Sequence, residues 1–213
     1  MKPFLFQRNK PDLPASFERC DEPLAGSEIA VVERHIDGVT IEGLEASSIR
    51  IDGSVLEGVS LAGAHFAMLK LKDVRFLNCD LSNLETRGLV MNRVEFINCR
   101  MMGFRAGEAA GKDVLFSECG QQYSQFRFSR MEAAEFEGCN LEESDFHGTD
   151  LSGAIFRNCR LGNADMEEAK LYNADLRGSH VEGLKVDMRA IRGATVDAAQ
   201  AMIFAGLLGI RIA

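Results

Sequence analysis

Tryptophan is absent from this sequence of 213 residues and tyrosine occurs only twice, although there are 14 phenylalanines and 20 glycines. Such an imbalance indicates a constraint on the aromatic positions beyond ordinary globular packing. The chain also lacks an apolar run near the roughly 18 residues that a membrane-spanning helix needs. Hydrophobic residues still make up 46% of the chain, which is enough to bury a core and excludes a disordered tail.

Positive charge is scarce as well. Thirty-two acidic residues against 24 Lys and Arg give a formal net charge of −8, which excludes a conventional nucleic-acid binder. The segment Met1–Lys10 holds cations at Lys2, Arg8 and Lys10 but no apolar run of signal-peptide length. We therefore expect a cytoplasmic protein that binds neither nucleic acid nor membranes directly.

Motifs of common catalytic and metal sites are missing too. The sequence contains no G-x-S-x-G, no H-E-x-x-H and no phosphate-binding P-loop. Its six cysteines form no C-x-x-C pair of the kind that binds zinc. We therefore expect no enzymatic activity, no catalytic residues, no cofactor and no metal.

What the sequence does contain is a repeat of five residues. From Ile36 to Val196, nearly every fifth residue is Ile, Leu, Val, Phe or Met, a period that matches neither a helix (3.6) nor a strand (2). Two residues before each apolar centre the side chain is usually small, and two residues after it Gly or Asn is frequent, as at Gly58 and Gly138. Gly and Asn tolerate the positive φ of a tight turn. Each repeat is therefore predicted to form one short edge and one corner.

A second period, of twenty residues, predicts how the edges are stacked. Two residue types recur at this spacing: Cys79, Cys99, Cys119, Cys139 and Cys159, and Phe76, Phe96, Phe116, Phe136 and Phe156. Since twenty residues are four repeats, one coil has four sides, and equivalent side chains stack at the strand spacing of ~4.8 Å. The pattern predicts a solenoid whose coils contact only their neighbours, with the cysteines as buried, structural residues.

The sequence resembles the pentapeptide-repeat family, whose motif is a small residue, Asp or Asn, Leu or Phe, and two variable residues. The closest matches are Ser144–Gly148, Thr149–Gly153 and Ala174–Gly178, and the resemblance covers about residues 34–198. It implies an all-β solenoid, a right-handed quadrilateral β-helix. Among family members, the chain is similar to the Qnr-type quinolone-resistance proteins, but its unbroken register leaves no room for their projecting loops.

The two ends of the repeat predict caps. Residues 1–33 contain all four prolines, which lack a donor for strand ladders, so we expect an irregular N-terminal arm or cap with a short helix near Ser16–Cys20. Residues 34–196 are expected to form about eight coils. Residues 197–213 are predicted to form a C-terminal capping and dimerisation helix, with Asp197 as N-cap, Gln200 in capping-box spacing and Gly209 as its stop.

The predicted C-terminal helix is apolar around nearly its whole circumference, whereas a surface helix would have a polar face. We therefore expect one face to cover the last coil and another to contact a second copy in a homodimer. A simple cap with one exposed apolar side is the alternative. The predicted interface residues are Met202, Ile203, Phe204, Leu207 and Leu208.

Two stretches depart from the repeat. Between Gly103 and Gln125, Phe104 replaces a small residue, while Gly111 and Gln121 replace apolar centres. Because the spacing is kept, we expect a softer, poorly filled middle rather than an inserted loop. Arg189 stands at an inward position and predicts a distorted last coil.

Acidic residues concentrate beside the predicted dimer helix. The candidate partner-binding cluster comprises Glu132, Glu135, Glu137, Glu142, Glu143, Asp145, Asp165, Glu167 and Glu168. B-DNA is a rod with one negative charge per ~1.7 Å of axis, and the resemblance to Qnr-type proteins implies a DNA mimic that binds a type II topoisomerase, DNA gyrase or topoisomerase IV. A structural or interaction scaffold with an unknown protein partner remains the alternative.

Overall fold

The fold is a single parallel β-solenoid, described by a computed structural model for residues 8–19, 25–207 and 209–211. Within these residues no helix is both long and apolar enough to cross a membrane. The strands and the helix are, in chain order, β1 Glu18–Arg19, β2 Glu28–Val32, β3 Arg34–Asp37, β4 Glu45–Glu57, β5 His65–Leu77, β6 Glu85–Thr86, β7 Leu89–Ile97, β8 Ala110–Ser117, β9 Arg130–Glu132, β10 Glu135–Glu137, β11 Ile155–Arg157 and α1 Ala198–Leu207.

Parallel pairing at a spacing of twenty residues builds the shaft. Equivalent residues of successive coils are linked in one column, whose members are His35, Val55, Arg75, Glu95, Leu115, Glu135, Ile155, Asp175 and Thr195. The backbone of each coil bonds to both neighbours: the N–H of Asn140 donates to the Cys119 carbonyl at 2.9 Å, and that of Leu141 to the Arg160 carbonyl at 2.8 Å. This is the predicted right-handed quadrilateral β-helix with a C-terminal helical cap.

The coil 134–153 illustrates the four sides. We name them side A (134–137), side B (139–142), side C (144–147) and side D (149–152), and use the same names for the equivalent residues of other coils. The corners between them have positive φ, for example 63° at Gly138 and 66° at Gly148, as the Gly and Asn pattern predicts. Corners at Tyr123 and Phe128 also adopt positive φ, 59° and 54°, although a bulky residue rarely does.

Two side-chain ladders fill the core. The rings of Phe76, Phe96, Phe116, Phe136 and Phe156 stack with successive centroid distances of 4.9, 5.0, 5.0 and 4.7 Å. The thiols of the buried cysteines donate to carbonyls of the preceding coil, as Cys119 does to Phe96 at 3.4 Å. The neighbouring thiols of Cys139 and Cys99, together with burial, raise the pKa of Cys119, so this thiol is a core group and not a nucleophile.

The middle of the shaft stays in register and no loop projects from it, since Met91 pairs with Gly111 and Arg105 with Gln125. It is also better filled than predicted. Phe104 is buried and packs its ring 5.7 Å from that of Phe126. At Gly111 an added Cβ would lie 2.6 Å from the Sδ of Met131, so a methionine side chain occupies the space that a larger residue would need.

Gln121 is the position where the middle departs most from the repeat. It is fully buried in a column of Leu and Met, and neither polar atom of its amide has a hydrogen-bond partner among the described residues. The Ser124 hydroxyl is likewise unpaired within that part of the chain. An unsatisfied buried polar group costs about 1–3 kcal/mol, so this pair of side chains weakens the coil that contains it.

The C-terminal cap has the predicted chemistry. The N–H of Gln200 donates to Asp197 Oδ1 at 3.0 Å, and the N–H of Asp197 donates to Gln200 Oε1 at 2.9 Å, which is a reciprocal capping box. The Gln200 amide also donates to the carbonyls of Leu176 and Ser179, so it fixes α1 to the last coils. Gly209, with a φ of 72°, ends the helix as predicted.

The last coil is distorted, as Arg189 predicts. Arg189 is exposed and Ala190 is buried, because the Asp187 carboxylate accepts the N–H groups of both residues and tightens the turn. The hydrogen-bond register changes here by one residue. The N–H of Gly153 bonds to the carbonyl nineteen residues later, at Tyr172, whereas the N–H of Asn173 bonds to the carbonyl twenty residues later, at Gly193.

The N-terminal arm differs from the prediction in two ways. Instead of a short helix near Ser16–Cys20, the chain forms strand β1, which pairs with Arg34 and His35; Cys20 lies outside the described residues. The register of twenty already holds at β2, upstream of the predicted start of the repeat at residue 34. Residues 8–14, which we name the strap, lie along the shaft and contact coils as far as Asp113 and Glu135.

Candidate functional site

Side C brings five of the nine predicted acidic residues together. Asp145 and Asp165 are bridged partners on adjacent coils, and Glu167 faces outward two residues further along the same side. Glu143 and Glu168 occupy corners that border side C, with φ of 57° and 58°. We name these five residues the acidic face; Glu143, Glu167 and Glu168 are exposed.

Hydrogen bonds orient the carboxylates of the acidic face. The N–H of His147 donates to Asp145 Oδ1 at 3.0 Å, and the N–H of Glu167 donates to Asp165 Oδ1 at 2.9 Å. Arg127 forms an ion pair with Asp145 at 2.8 Å. Each aspartate is thus held against its own edge of the coil by the turn that follows. The three glutamates are exposed, and Glu143 accepts a hydrogen bond from the Asn163 amide of the next coil at 3.2 Å.

His147 lies among three of these acids. Its Nδ1 is 3.9 Å from Asp165 and its Nε2 is 3.8 Å from Glu168. Ligand atoms of His147, Asp165 and Glu167 lie within 4.8 Å of one another, so these three residues could hold a divalent cation. Exposed acidic groups commonly lie this close without an ion, so the distances do not by themselves define a metal centre.

Comparison with known proteins identifies the fold family. A model for a pentapeptide repeat region matches residues 69–146, and a model for eight copies of the pentapeptide repeat matches residues 144–183. Together they span more than half of the chain. This chain belongs to the pentapeptide-repeat family.

Two solved structures of pentapeptide-repeat proteins were compared with the chain, and the fold of the first agrees with that assignment. Trypsin-treated QnrB1 carrying R167E, a plasmid-mediated fluoroquinolone resistance protein, has a TM-score of 0.56 and 22% identity and covers 88% of this pentapeptide-repeat protein and 100% of its own chain. HetL from Nostoc sp. strain PCC 7120, a pentapeptide repeat protein involved in heterocyst differentiation regulation, has a TM-score of 0.34 and 15% identity, covering 80% and 91%. At 22% identity the likeness to QnrB1 supports the fold alone. No curated protein matches the sequence.

The other four predicted acidic residues lie on other sides of the pentapeptide-repeat shaft. Glu132 is on side D and is paired with Lys112 at 3.1 Å. Glu142 is on side B and is paired with Arg160 at 2.7 Å. Glu135 and Glu137 are on side A, where Glu135 lies 3.9 Å from Arg8. The nine residues therefore do not form one surface, and several are partly neutralised by cations.

The predicted dimer interface divides into two groups. Met202 and Leu207 are 55% and 56% exposed, and Ile210 beyond the helix is exposed as well. Phe204 is buried against the last coils of its own chain and Ile203 is partly buried, because the capping box turns this face of α1 inward. Leu208 lies outside the described residues.

Two features escaped the sequence analysis. The first is the strap, whose partners Asp73 and Asp113 lie two coils apart in one corner column; charged residues at corners that favour Gly could have indicated the surface that it binds. The second is the exposure of the aromatic corners Tyr123 and Phe128, 58% and 56%. Each stands two residues after an inward position, Gln121 or Phe126, so the outward position of both corners could have been predicted.

Proposed function

We propose that this pentapeptide-repeat protein is a cytoplasmic, non-enzymatic DNA mimic whose acidic face binds the DNA-binding surface of DNA gyrase or topoisomerase IV. The observation that supports this most directly is the gathering of five carboxylates on one side over two adjacent coils. Rungs ~4.8 Å apart present charge at a spacing comparable to the 3.4 Å between phosphates of one DNA strand. The likeness to QnrB1, a fluoroquinolone resistance protein, favours a type II topoisomerase as the partner.

Charge reversal on the acidic face tests this proposal. We expect purified protein to inhibit gyrase supercoiling at low micromolar concentration, with relief by excess DNA. The double variant E167K/E168K should raise the concentration for half-inhibition by about tenfold or more, because like charges at an interface cost several kcal/mol. Supercoiling assays run with and without a quinolone give both the inhibition and any protection from the drug.

A matched control separates this surface from overall charge. E118K/E137K changes the net charge equally, but Glu137 is on side A, opposite the acidic face, and Glu118 is at the corner between sides A and B; both are exposed. The control should inhibit like the wild type. Equal loss in both variants, with folding unchanged by circular dichroism, would refute a specific role for the acidic face.

We also propose that two copies associate head to head through α1. Met188, Met202, Leu207 and Ile210 are each more than half exposed at this end of the shaft, and such a cluster is typical of interaction surfaces. Sedimentation velocity should show a dimer for the wild type and a monomer for Met202→Asp. Tyr172→Asp, at an exposed residue on side D, should remain dimeric, whereas a wild-type monomer at tens of micromolar would contradict the proposal.

A scaffold for another protein is the second candidate. The aromatic corners Tyr123 and Phe128 favour it, because exposed tyrosines and other aromatic residues are frequent anchors of protein interfaces. Competition with DNA distinguishes the two functions: excess DNA should release a topoisomerase from the acidic face and should leave a partner of the aromatic corners bound.

A further inference from the structure

The strap lies in a groove of buried acidic residues. The guanidinium of Arg8 donates to Glu95 Oε1 at 2.9 Å, and the side chains of these two residues are 6% and 4% exposed. Asn9 donates its backbone N–H and its side-chain amide to the two carboxylate oxygens of Asp113, both at 3.0 Å. The N–H of Asp12 donates to Asp73 Oδ1 at 2.8 Å. Glu95, Asp113 and Asp73 all lie beneath the strap and are buried.

These contacts resemble the recognition of a ligand more than the packing of a strand. Within the described residues no backbone-to-backbone hydrogen bond joins the strap to the shaft, and Pro11 and Pro14 remove two donors from the segment. Instead, carboxylates of the shaft accept peptide N–H groups, which any extended chain offers in the same way. Two side chains of the strap are also recognised by buried carboxylates: the Arg8 guanidinium by Glu95 and the Asn9 amide by Asp113.

The spacing of the groove suits an extended peptide. Asp73 and Asp113 are two coils apart, or ~9.6 Å at strand spacing. The two strap residues that bind them, Asn9 and Asp12, are three residues apart, which spans ~10 Å in an extended chain. The lower-numbered strap residue meets the higher-numbered coil, so the strap runs opposite to the growth of the solenoid.

Arginines of the shaft hold carboxylates of the groove in position beneath the strap. Arg93 binds both oxygens of Asp73 at 2.6 Å, and Arg75 donates to Glu95 Oε2 at 2.8 Å. Burial opposes ionisation of Asp73, but the Arg93 guanidinium and the Asp12 N–H outweigh it and hold the pKa of this carboxyl below its usual value. The carboxylates of Asp73 and Glu95 are therefore oriented by arginines of the shaft itself.

We propose that this groove is a peptide-binding site that the chain closes with its own strap, and that it accepts in exchange an extended, arginine-bearing segment of a partner protein. The arginine takes the place of Arg8 between Glu95 and Glu135, and its following N–H groups bind Asp113 and Asp73. The groove is formed by sides A and D and the corner between them, so its occupation is independent of the acidic face on side C.

Exchange in trans tests the proposal. The probe is a fluorescent acetylated peptide of residues 8–15, and the protein is the full chain. Arg8→Glu in the protein places a carboxylate against Glu95 and Glu135 and should release the strap, so the probe should bind this variant at least tenfold more tightly than the wild type. In the wild type the probe competes with a tethered strap whose effective concentration is in the millimolar range.

Two controls define the recognition. Lys10→Glu makes the same charge change in the strap at an exposed residue, and this variant should bind the probe no better than the wild type. A probe with glutamate in place of arginine should not bind Arg8→Glu protein. Equal probe binding by wild-type protein and a folded Arg8→Glu variant would overturn the proposal.

Hydrogen exchange of the wild-type protein is a second test, which does not depend on whether the Arg8→Glu variant folds. The amides of Asn9 and Asp12 should exchange through local opening of the strap, at least tenfold faster than the ladder amides of Asn140 and Leu141. Protection of the strap amides equal to that of the ladder would show that the strap opens only when the shaft unfolds, and would also overturn the proposal.

Discussion

Replacing Phe116 by alanine is expected to lower the free energy of unfolding by about 3–5 kcal/mol. The ring of Phe116 is 1% exposed, lies 5.0 Å from both Phe96 and Phe136, and meets Phe126 edge-on at 6.2 Å. Its removal leaves a cavity that the coils above and below cannot fill, because their backbones are held apart by ladder hydrogen bonds. Urea unfolding followed by circular dichroism measures the loss.

Phe128→Ala is the matched control for this substitution. Phe128 belongs to the same region of the shaft but is 56% exposed, and it contacts His147 and Arg127 only at the surface. Its positive φ is equally unfavourable for alanine, so the change should stay within about 0.5 kcal/mol. A loss below about 1 kcal/mol at Phe116 would mean that the shaft relaxes around missing side chains and that the ladder is not what stabilises it.

Removing the carboxylate of Glu95 should lower the free energy of unfolding by about 3 kcal/mol, the second-largest effect that we expect. Breaking a buried ion pair by deleting one partner costs about 3–5 kcal/mol, because the remaining charge is left without compensation. In Glu95→Ala the Arg8 guanidinium, which is 6% exposed, keeps only the distant Glu135 carboxylate at 3.9 Å, and Arg75 loses its contact with Glu95 as well. We place the effect at the lower end because the strap can detach and return Arg8 to water.

The same variant distinguishes loss of the strap from loss of the shaft. Hydrogen exchange should increase at residues 8–14, while the coil amides keep their protection. Glu137→Ala, two residues after Glu135 on the same side but exposed, should change the unfolding free energy by less than about 0.5 kcal/mol. If Glu95→Ala is as stable as Glu137→Ala, the Arg8–Glu95 contact contributes nothing to the fold.

The repeat was predictable because it is local and redundant. The period of five gives the corners, the period of twenty gives the ladders, and the pair Asp197 and Gln200 gives the capping box, all from residues close in sequence. Substitutions such as Phe104 could not be judged from the pattern alone, since the space around them depends on side chains one coil away. There, the flexible methionines fill gaps that fixed side chains would leave.

The strap could not be predicted by the same reasoning. Its hydrogen bonds to the shaft join residues 61 to 104 positions apart. The strap residues themselves follow no period, because only one strap meets many coils. Likewise, the nine acidic residues are close in sequence but are distributed over four sides of the shaft. Their closeness along the chain therefore predicted a larger cluster than the structure contains. Assigning each acid to its side by counting in fives recovers the acidic face. Which acids are paired with a neighbouring cation depends on the three-dimensional structure.

The strap also sets an order of events during protein synthesis. It leaves the ribosome before any of the surface that it binds, since Glu95, Asp113 and Glu135 are translated much later. At about 5–20 residues per second, the roughly 130 residues between Arg8 and Glu135 require on the order of 6–25 s. The coils can form one upon another as they emerge, because each needs only its predecessor. The nascent shaft therefore grows with its acidic groove open, and docking of the strap marks the completion of the coil that contains Glu135.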